Sequence, residues 1–130
     1  MMKALLSIGL RLARTRAGKY LYRFMAGRVN FRMPASRVRE TQNVVAYHHP
    51  EPSYPFHVLI VPKRNLESIM GLEDTDGSML AEIIGVVKSL VEEFQLDEVG
   101  YRLIVNGGRY QHVPQLHFHL IAETYTGKQS

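Results

Sequence analysis

The 130-residue chain contains no cysteine. Disulfide scaffolds, thiolate catalysis and cysteine-based zinc sites are therefore excluded, and nothing points to secretion. No apolar run approaches the roughly 18 to 20 residues of a membrane-spanning helix. Acid is almost absent from one region. Residues 1–40 carry ten basic side chains (Lys3, Arg11, Arg14, Arg16, Lys19, Arg23, Arg28, Arg32, Arg37 and Arg39) against the single acid Glu40. The remainder holds six basic and eleven acidic groups. The pI near 9.5 is thus a property of the N-terminal segment, not the mark of a basic catalytic domain.

What is present suits one domain with a single hydrophobic core: an apolar fraction of 45% and a mean hydropathy of −0.14 are those of a globular chain. Residues 1–30 are set apart as a basic amphipathic helical segment and residues 31–130 as the domain proper. In "ALLSIGLRLARTRAGKYLYRFMAG" Leu6, Leu10, Ala13, Ala17, Tyr20, Leu21 and Phe24 fall on one helical face, with arginines and Lys19 around the rest. Four roles remain open for it: a helix packed on the domain with solvated arginines, an anionic membrane surface, nucleic-acid phosphates, or an organellar transit peptide. The expected location is cytoplasmic, with peripheral membrane or nucleic-acid contact through residues 3–28. A secretory signal is not expected, because arginines interrupt the apolar run.

Beyond Pro34 the pattern changes to strands. "SRVRET" and "NVVAYHH" flank Gln42-Asn43 as a hairpin, "PEPSYP" is a stiff loop, and "HVLIVPK" reads as a strand buried on both faces that Pro62 ends. Asn65 is the expected cap of a short helix. A longer helix runs from Thr75 or Asp76 to about Phe94, burying Met79, Leu80, Ile83, Ile84, Val87, Leu90, Val91 and Phe94, with acids clustered at its start. "YRLIVN" is a strand, "GGRYQHVP" a loop and "QLHFHLIA" the last strand. The order β-β-β-α-β-β predicts an α+β domain with a mostly antiparallel sheet, one long helix and one short one.

The chemistry sits in the last strand. Alternation puts Gln115, His117 and His119 on one face and Leu116, Phe118 and Leu120 on the core side, so the polar set is expected to face a cleft. Gly107 and Gly108 permit close backbone approach, Asn106 ends the preceding strand with an amide, and His57 opens the strand that runs to Pro62-Lys63. Three readings compete on these residues alone. A neutral imidazole whose other nitrogen is held is a nucleophile toward phosphorus. His-x-His with His57 or His112 makes a three-histidine metal site. Two hydrogen-bonded structural histidines are the third.

The residues also resemble a known family. "QLHFHLIAE" is similar to the signature of the histidine-triad (HIT) superfamily, His-φ-His-φ-His-φ-φ, with Gln115 in place of the first histidine. "HVLIVPKRNLESI" resembles the family's internal strand and following short helix, "PASRVRETQNVVAYHHPEPSYPFH" its opening hairpin and proline-bearing loop, and "YRLIVNGG" the strand before its catalytic loop. The resemblance spans residues 31 to 123. It implies a HIT-like domain that forms a homodimer, and a nucleotide phosphohydrolase or nucleotidyl transferase acting on phosphoramidates, dinucleoside polyphosphates or related esters through a nucleotidyl-histidine intermediate. No metal or other cofactor is implied. Carried over by position, His117 is the nucleophile and His119 the second histidine on phosphate oxygens; Asn106 contacts phosphate or leaving group, and His57 belongs to the shell that orients the triad. A backbone carbonyl near Gly107-Gly108 is the expected acceptor for the far nitrogen of His117.

Four departures from the family pattern bear on the site. Gln115 donates and accepts but cannot titrate. In the shortened loop Gln111 keeps the family's glutamine, while His112 replaces a Ser or Thr and is a candidate general acid for the leaving group. His49 stands where many members place an aspartate against the ribose hydroxyls, and Pro50 follows it. The chain ends seven residues after Glu123. The substrate-binding set is therefore Asn106, Gln111, His112, Gln115, His57 and His49. The alternative is a catalytically weak nucleotide-binding protein serving as a dimeric binding or scaffold module.

Overall fold

A computed structural model describes residues 37–127. The basic helix expected over residues 1–30, and Pro34 after it, lie outside the described residues. Within them the hairpin forms as the turn residues imply. β1 (Arg37–Glu40) runs antiparallel to β2 (Val44–His48), and Thr41 N–H donates to Val44 O at 2.8 Å. A carboxylate from the long helix clamps the turn. Glu82 accepts from Asn43 N–H at 2.8 Å, from the Asn43 side-chain amide at 2.9 Å, and from the Thr41 hydroxyl.

β3 (Phe56–Pro62) is buried at every residue. It is the central strand of a five-stranded sheet ordered β1-β2-β3-β5-β4, with β4 (Arg102–Val105) at the edge and β5 (Phe118–Ala122) between it and β3. Every neighbouring pair is antiparallel. A strand covered on both faces has no polar side to alternate with, which is why β3 reads as a continuous apolar run.

The two faces of the sheet have different companions. Val44, Ala46, Phe56, Val58, Ile60, Phe118, Leu120 and Ala122 form one core with Met79, Ile83, Val86, Val87, Leu90 and Val91 of helix α1 (Gly77–Glu93). Burying each aliphatic side chain of this size contributes about 1.5–3 kcal/mol. The intervening residues Val45, Tyr47, His57, Leu59, Val61, His119 and Ile121 point to the opposite face. That face carries His57 and His119.

Three local expectations are corrected. Ser68, not Asn65, caps the segment after β3, which is a single 3-10 turn (Ile69–Gly71) with Met70 N–H bonded to the Ser68 hydroxyl; the short α-helix is instead α2 (Leu96–Val99). α1 begins at Gly77, because the acids Asp74 and Asp76 occupy a preceding 3-10 turn. There Glu73 and Asp76 cap each other, and Asp76, buried, also takes an ion pair from Arg64. Finally, Ile84 is exposed and Val86 is buried. The sheet covers the face of α1 centred between Met79, Ile83, Val87 and Leu90, and residue 86 lies nearer its axis than residue 84.

Candidate functional site: a row of imidazoles

β3 and β5 pair so that Leu59 faces His119 and His57 faces Ile121. His57 and His119 are therefore diagonal neighbours on one face, close enough for side chains to meet. They do: His57 Nε2 lies 2.9 Å from His119 Nδ1. The ring of His119 is 5.0 Å from that of His117, and the ring of His49 lies 4.4 Å from His57 at an interplanar angle of 30°. Four histidines from two strands and their flanking loops make one row, in the order His49, His57, His119, His117.

Backbone groups fix the proton on each ring. Ser53 N–H donates to His57 Nδ1 at 3.1 Å. A backbone amide can only donate, so His57 carries its proton on Nε2 and passes it as a donor to His119 Nδ1. His119 is thereby left with an Nε2–H free to donate. At the other end His117 Nδ1 is 2.6 Å from the carbonyl oxygen of Gln115. A carbonyl can only accept, so Nδ1 holds the proton and Nε2 keeps an unshared pair. Glu51 N–H donates to His49 Nδ1 at 3.0 Å, which gives His49 an Nε2–H as well.

Electrostatics keep the row neutral. Burial, then the neighbouring His49 and His119, lowers His57 to about 3. Burial, then His117 and His49, lowers His119 to about 4. His117 is lowered by burial against an opposing pull from its bond to the Gln115 carbonyl. His49 is lowered by burial, with Glu51 pulling the other way. Crowded, largely buried imidazoles resist charging.

The other expected site residues fall in different places. Gln115 is 1% exposed, and its amide reaches the Pro62 and Leu116 carbonyls only at 3.4 and 3.5 Å. Its side chain does not join the row of rings. The reason is that the β5 ladder begins at Phe118, so Gln115 and His117 lie before it and simple alternation does not govern them. The acceptor for His117 is the Gln115 backbone, not the Gly107-Gly108 loop. Those glycines border open space, since a Cβ at either would meet nothing within 4 Å, and Gly108 adopts a φ of +58° that favours glycine. Asn106 stands one residue beyond the Val105–Phe118 pair, which carries its backbone opposite His117.

Gln111 uses its amide to hold the chain, donating to Glu67 O at 2.6 Å and Val113 O at 3.0 Å. His112 is exposed and makes no ring contact with the four histidines. Pro50 is half-buried beside His49 in the chain. No group of three potential metal ligands is gathered to hold an ion among the described residues. Sequence reasoning missed Ser53 and Glu51, whose backbone amides set two tautomers; no side-chain signal marks such a role.

Comparison with known proteins identifies the domain that carries this row. Residues 30–126 match the HIT domain. An uncharacterized HIT-like protein of Chlamydia trachomatis is 32% identical over 87 residues, covering 65% of this chain and 78% of that one. A solved HIT family hydrolase from Legionella pneumophila is 33% identical with a TM-score of 0.67, covering 77% of this chain and 88% of that one. A histidine triad protein from Clostridium difficile is 27% identical with a TM-score of 0.68, covering 83% and 92% respectively. A histidine triad nucleotide-binding protein from Candida albicans is 30% identical with a TM-score of 0.64, covering 78% and 71%. With the family match spanning residues 30–126 and its antiparallel sheet and long helix matching the fold of solved members, the chain belongs to the HIT domain family.

Proposed function

We propose that this protein is a nucleotide phosphohydrolase or nucleotidyl transferase that works through a nucleotidyl intermediate on His117. One observation carries the reading: the 2.6 Å bond from His117 Nδ1 to Gln115 O leaves Nε2 unprotonated and aimed away from the backbone that holds the ring. Similarity to a HIT family hydrolase and a histidine triad nucleotide-binding protein supports the substrate class.

The reaction balances without an external co-reactant other than water. The Nε2 pair of His117 forms a bond to the α-phosphorus while the bond to the leaving amine or phosphate breaks. The departing group takes that electron pair and a proton from solvent, and the water that attacks in the second step gives one proton back to solvent. His119 Nε2–H donates to a nonbridging oxygen, where charge develops, and His57 holds the ring in the donating tautomer. Water then attacks phosphorus, the P–N bond breaks, and its electrons return to Nε2 as the nucleoside monophosphate leaves. The lowered pKa of His117 keeps the nucleophile deprotonated through the neutral range.

The test is incubation with an adenosine phosphoramidate, following AMP release and a covalent nucleotidyl adduct. Turnover and adduct are both expected to vanish in His117→Ala. Unchanged turnover in that variant would end the assignment, and binding without turnover in the native protein would identify a nucleotide-binding module instead. The same reading includes a homodimer, checked by the molar mass in solution from light scattering. It also includes a cytoplasmic protein touching membrane or nucleic acid through residues 3–28, checked by liposome flotation and salt-dependent nucleic-acid binding with and without that segment.

A further inference from the structure

Seven basic side chains belong to the described residues. Five of them are spent on acids: Arg37 and Lys63 pair with Glu40, Arg39 with Glu93, Arg64 with Asp76 and Arg102 with Glu123. The chain's twelve acids all lie among the same described residues, and none of them pairs with Lys88 or Arg109. Lys88 is exposed on α1, which packs on the sheet face away from His57 and His119. Arg109 belongs instead to the loop between β4 and β5, and that loop meets His117 at both ends. Asn106 enters it opposite His117, and the Gln115 carbonyl at its exit holds His117 Nδ1. Three hydrogen bonds fix its course: Tyr110 N–H to Gly107 O at 3.2 Å, Gln111 N–H to Gly108 O at 3.0 Å, and the Gln111 side chain to Glu67 O at 2.6 Å. Three residues on from Asn106, the Arg109 backbone lies within about 11 Å of it. The exposed guanidinium rests over the Tyr110 ring, 5.8 Å from its centroid.

We propose that Arg109 is a specificity-determining residue that receives a carboxylate on the departing group, so that the site favours nucleoside phosphoramidates whose amine comes from an amino acid. The inference rests on the preceding reading for the phosphoryl group at His117. His117 is the last ring of the row, in contact with His119 alone among the described rings. A nucleoside laid along the row towards His49, the ribose position the resemblance assigns, leaves the departing group the other end, where the loop turns. Burial holds the four imidazoles neutral, so they supply hydrogen bonds but no net charge for an anion. Arg109 supplies that charge. A guanidinium presents two parallel N–H donors to a carboxylate, and a single cation matches one negative charge rather than a chain of phosphates. The Tyr110 ring limits the rotamer freedom that the arginine gives up on binding.

The test compares the adenosine phosphoramidate of glycine, which carries a carboxylate, with that of glycinamide, which does not. AMP release by the full-length protein gives kcat/KM for each compound, and calorimetric titration of His117→Ala gives their affinities without turnover. In Arg109→Ala the glycine-to-glycinamide ratio of kcat/KM should fall about three- to fivefold from its native value, the range an exposed charge pair supplies. The loss should fall on the glycine compound, leaving the glycinamide compound within about twofold. Arg109→Lys should keep part of the ratio, and added salt should shrink the native ratio towards that of Arg109→Ala. Referring each variant to the native protein removes the intrinsic difference between the two leaving amines and the general attraction of the basic N-terminal segment for anions. Circular dichroism checks that each variant is folded. A ratio unchanged in Arg109→Ala, or an equal loss for both compounds, would overturn the proposal. Its failure is separable from failure of the catalytic reading, because the affinity ratio is also measured on His117→Ala with and without Arg109→Ala. An affinity ratio that depends on Arg109 without turnover in the native protein sinks only the hydrolase, and turnover with a ratio indifferent to Arg109 sinks only the role of Arg109.

Discussion

His57 donates its Nε2–H to Nδ1 of His119 across 2.9 Å, and it does so because the backbone N–H of Ser53 occupies its other nitrogen. One peptide group in a proline-rich loop thus determines that His119, two positions along the chain from His117, keeps Nε2–H as a donor.

Replacing His57 with Phe should leave the fold intact, since the ring volume is kept in a buried position, but should release the tautomer and orientation of His119. Misplacing a catalytic group by a fraction of an ångström to an ångström costs up to about 100-fold. The expected result is a 10- to 100-fold fall in kcat/KM for an adenosine phosphoramidate, carried mainly by kcat, with thermal denaturation showing a folded protein.

Gln115 should matter through its backbone more than its side chain. Gln115→Ala keeps the carbonyl that holds His117 Nδ1, so the change in kcat is expected to stay within about tenfold. The buried side chain is lost, however, and the cavity together with weakened bonds to Pro62 O and Leu116 O should cost about 1–3 kcal/mol. Urea unfolding and steady-state kinetics on the same variant separate the two effects.

Stability should fall as pH drops below the ordinary histidine range. Unfolded imidazoles take up a proton near 6.5, whereas folded His57 does so at about 3 and His119 at about 4. Between those limits the unfolded state binds more protons, so the stabilisation is fully present above about pH 6.5 and is lost as pH falls towards 4. Each histidine that stays neutral in the folded state adds a slope of about 1.4 kcal/mol per pH unit. Urea midpoints measured at pH 7, 6 and 5 should decline, and His57→Phe should decline less steeply by about one proton.

Glu82 should be worth a measurable amount to the fold without touching the site. Its carboxylate joins α1 to the β1–β2 turn through Thr41 and Asn43, and those bonds hold its pKa down, led by the Thr41 hydroxyl. Because the group is largely solvated, the expected loss in Glu82→Ala is only about 1 kcal/mol. A drop of a few degrees in the melting temperature with unchanged kcat/KM is the outcome to look for.

Periodicity and residue type settled a good deal before any tertiary contact was considered. The continuous apolar run of β3, the alternation around Phe118 and Leu120, and the stripe through Met79, Ile83, Val87 and Leu90 each follow from which face must leave water. These are local consequences of burial, so they are readable along the chain. The resemblance to the histidine-triad signature singled out His117 and His119, and that of "HVLIVPK" to the family's internal strand singled out His57, from residue identity and order alone.

What only the folded chain decided is direction. The sequence states that His57, His119 and His117 exist, but not which nitrogen of each bears the proton. That depends on backbone groups at Ser53 and Gln115, whose side chains give no hint of the role. Nor does it state that His49 closes over His57, because a contact between rings eight residues apart is made by the turn of the intervening loop. Helix ends at Ser68 and Gly77, and the start of the β5 ladder at Phe118, were likewise settled by which backbone groups found partners. Burial is encoded in the kinds of residues a chain carries, whereas hydrogen-bond direction is encoded in where the backbone passes, and only the tertiary structure brings the two together.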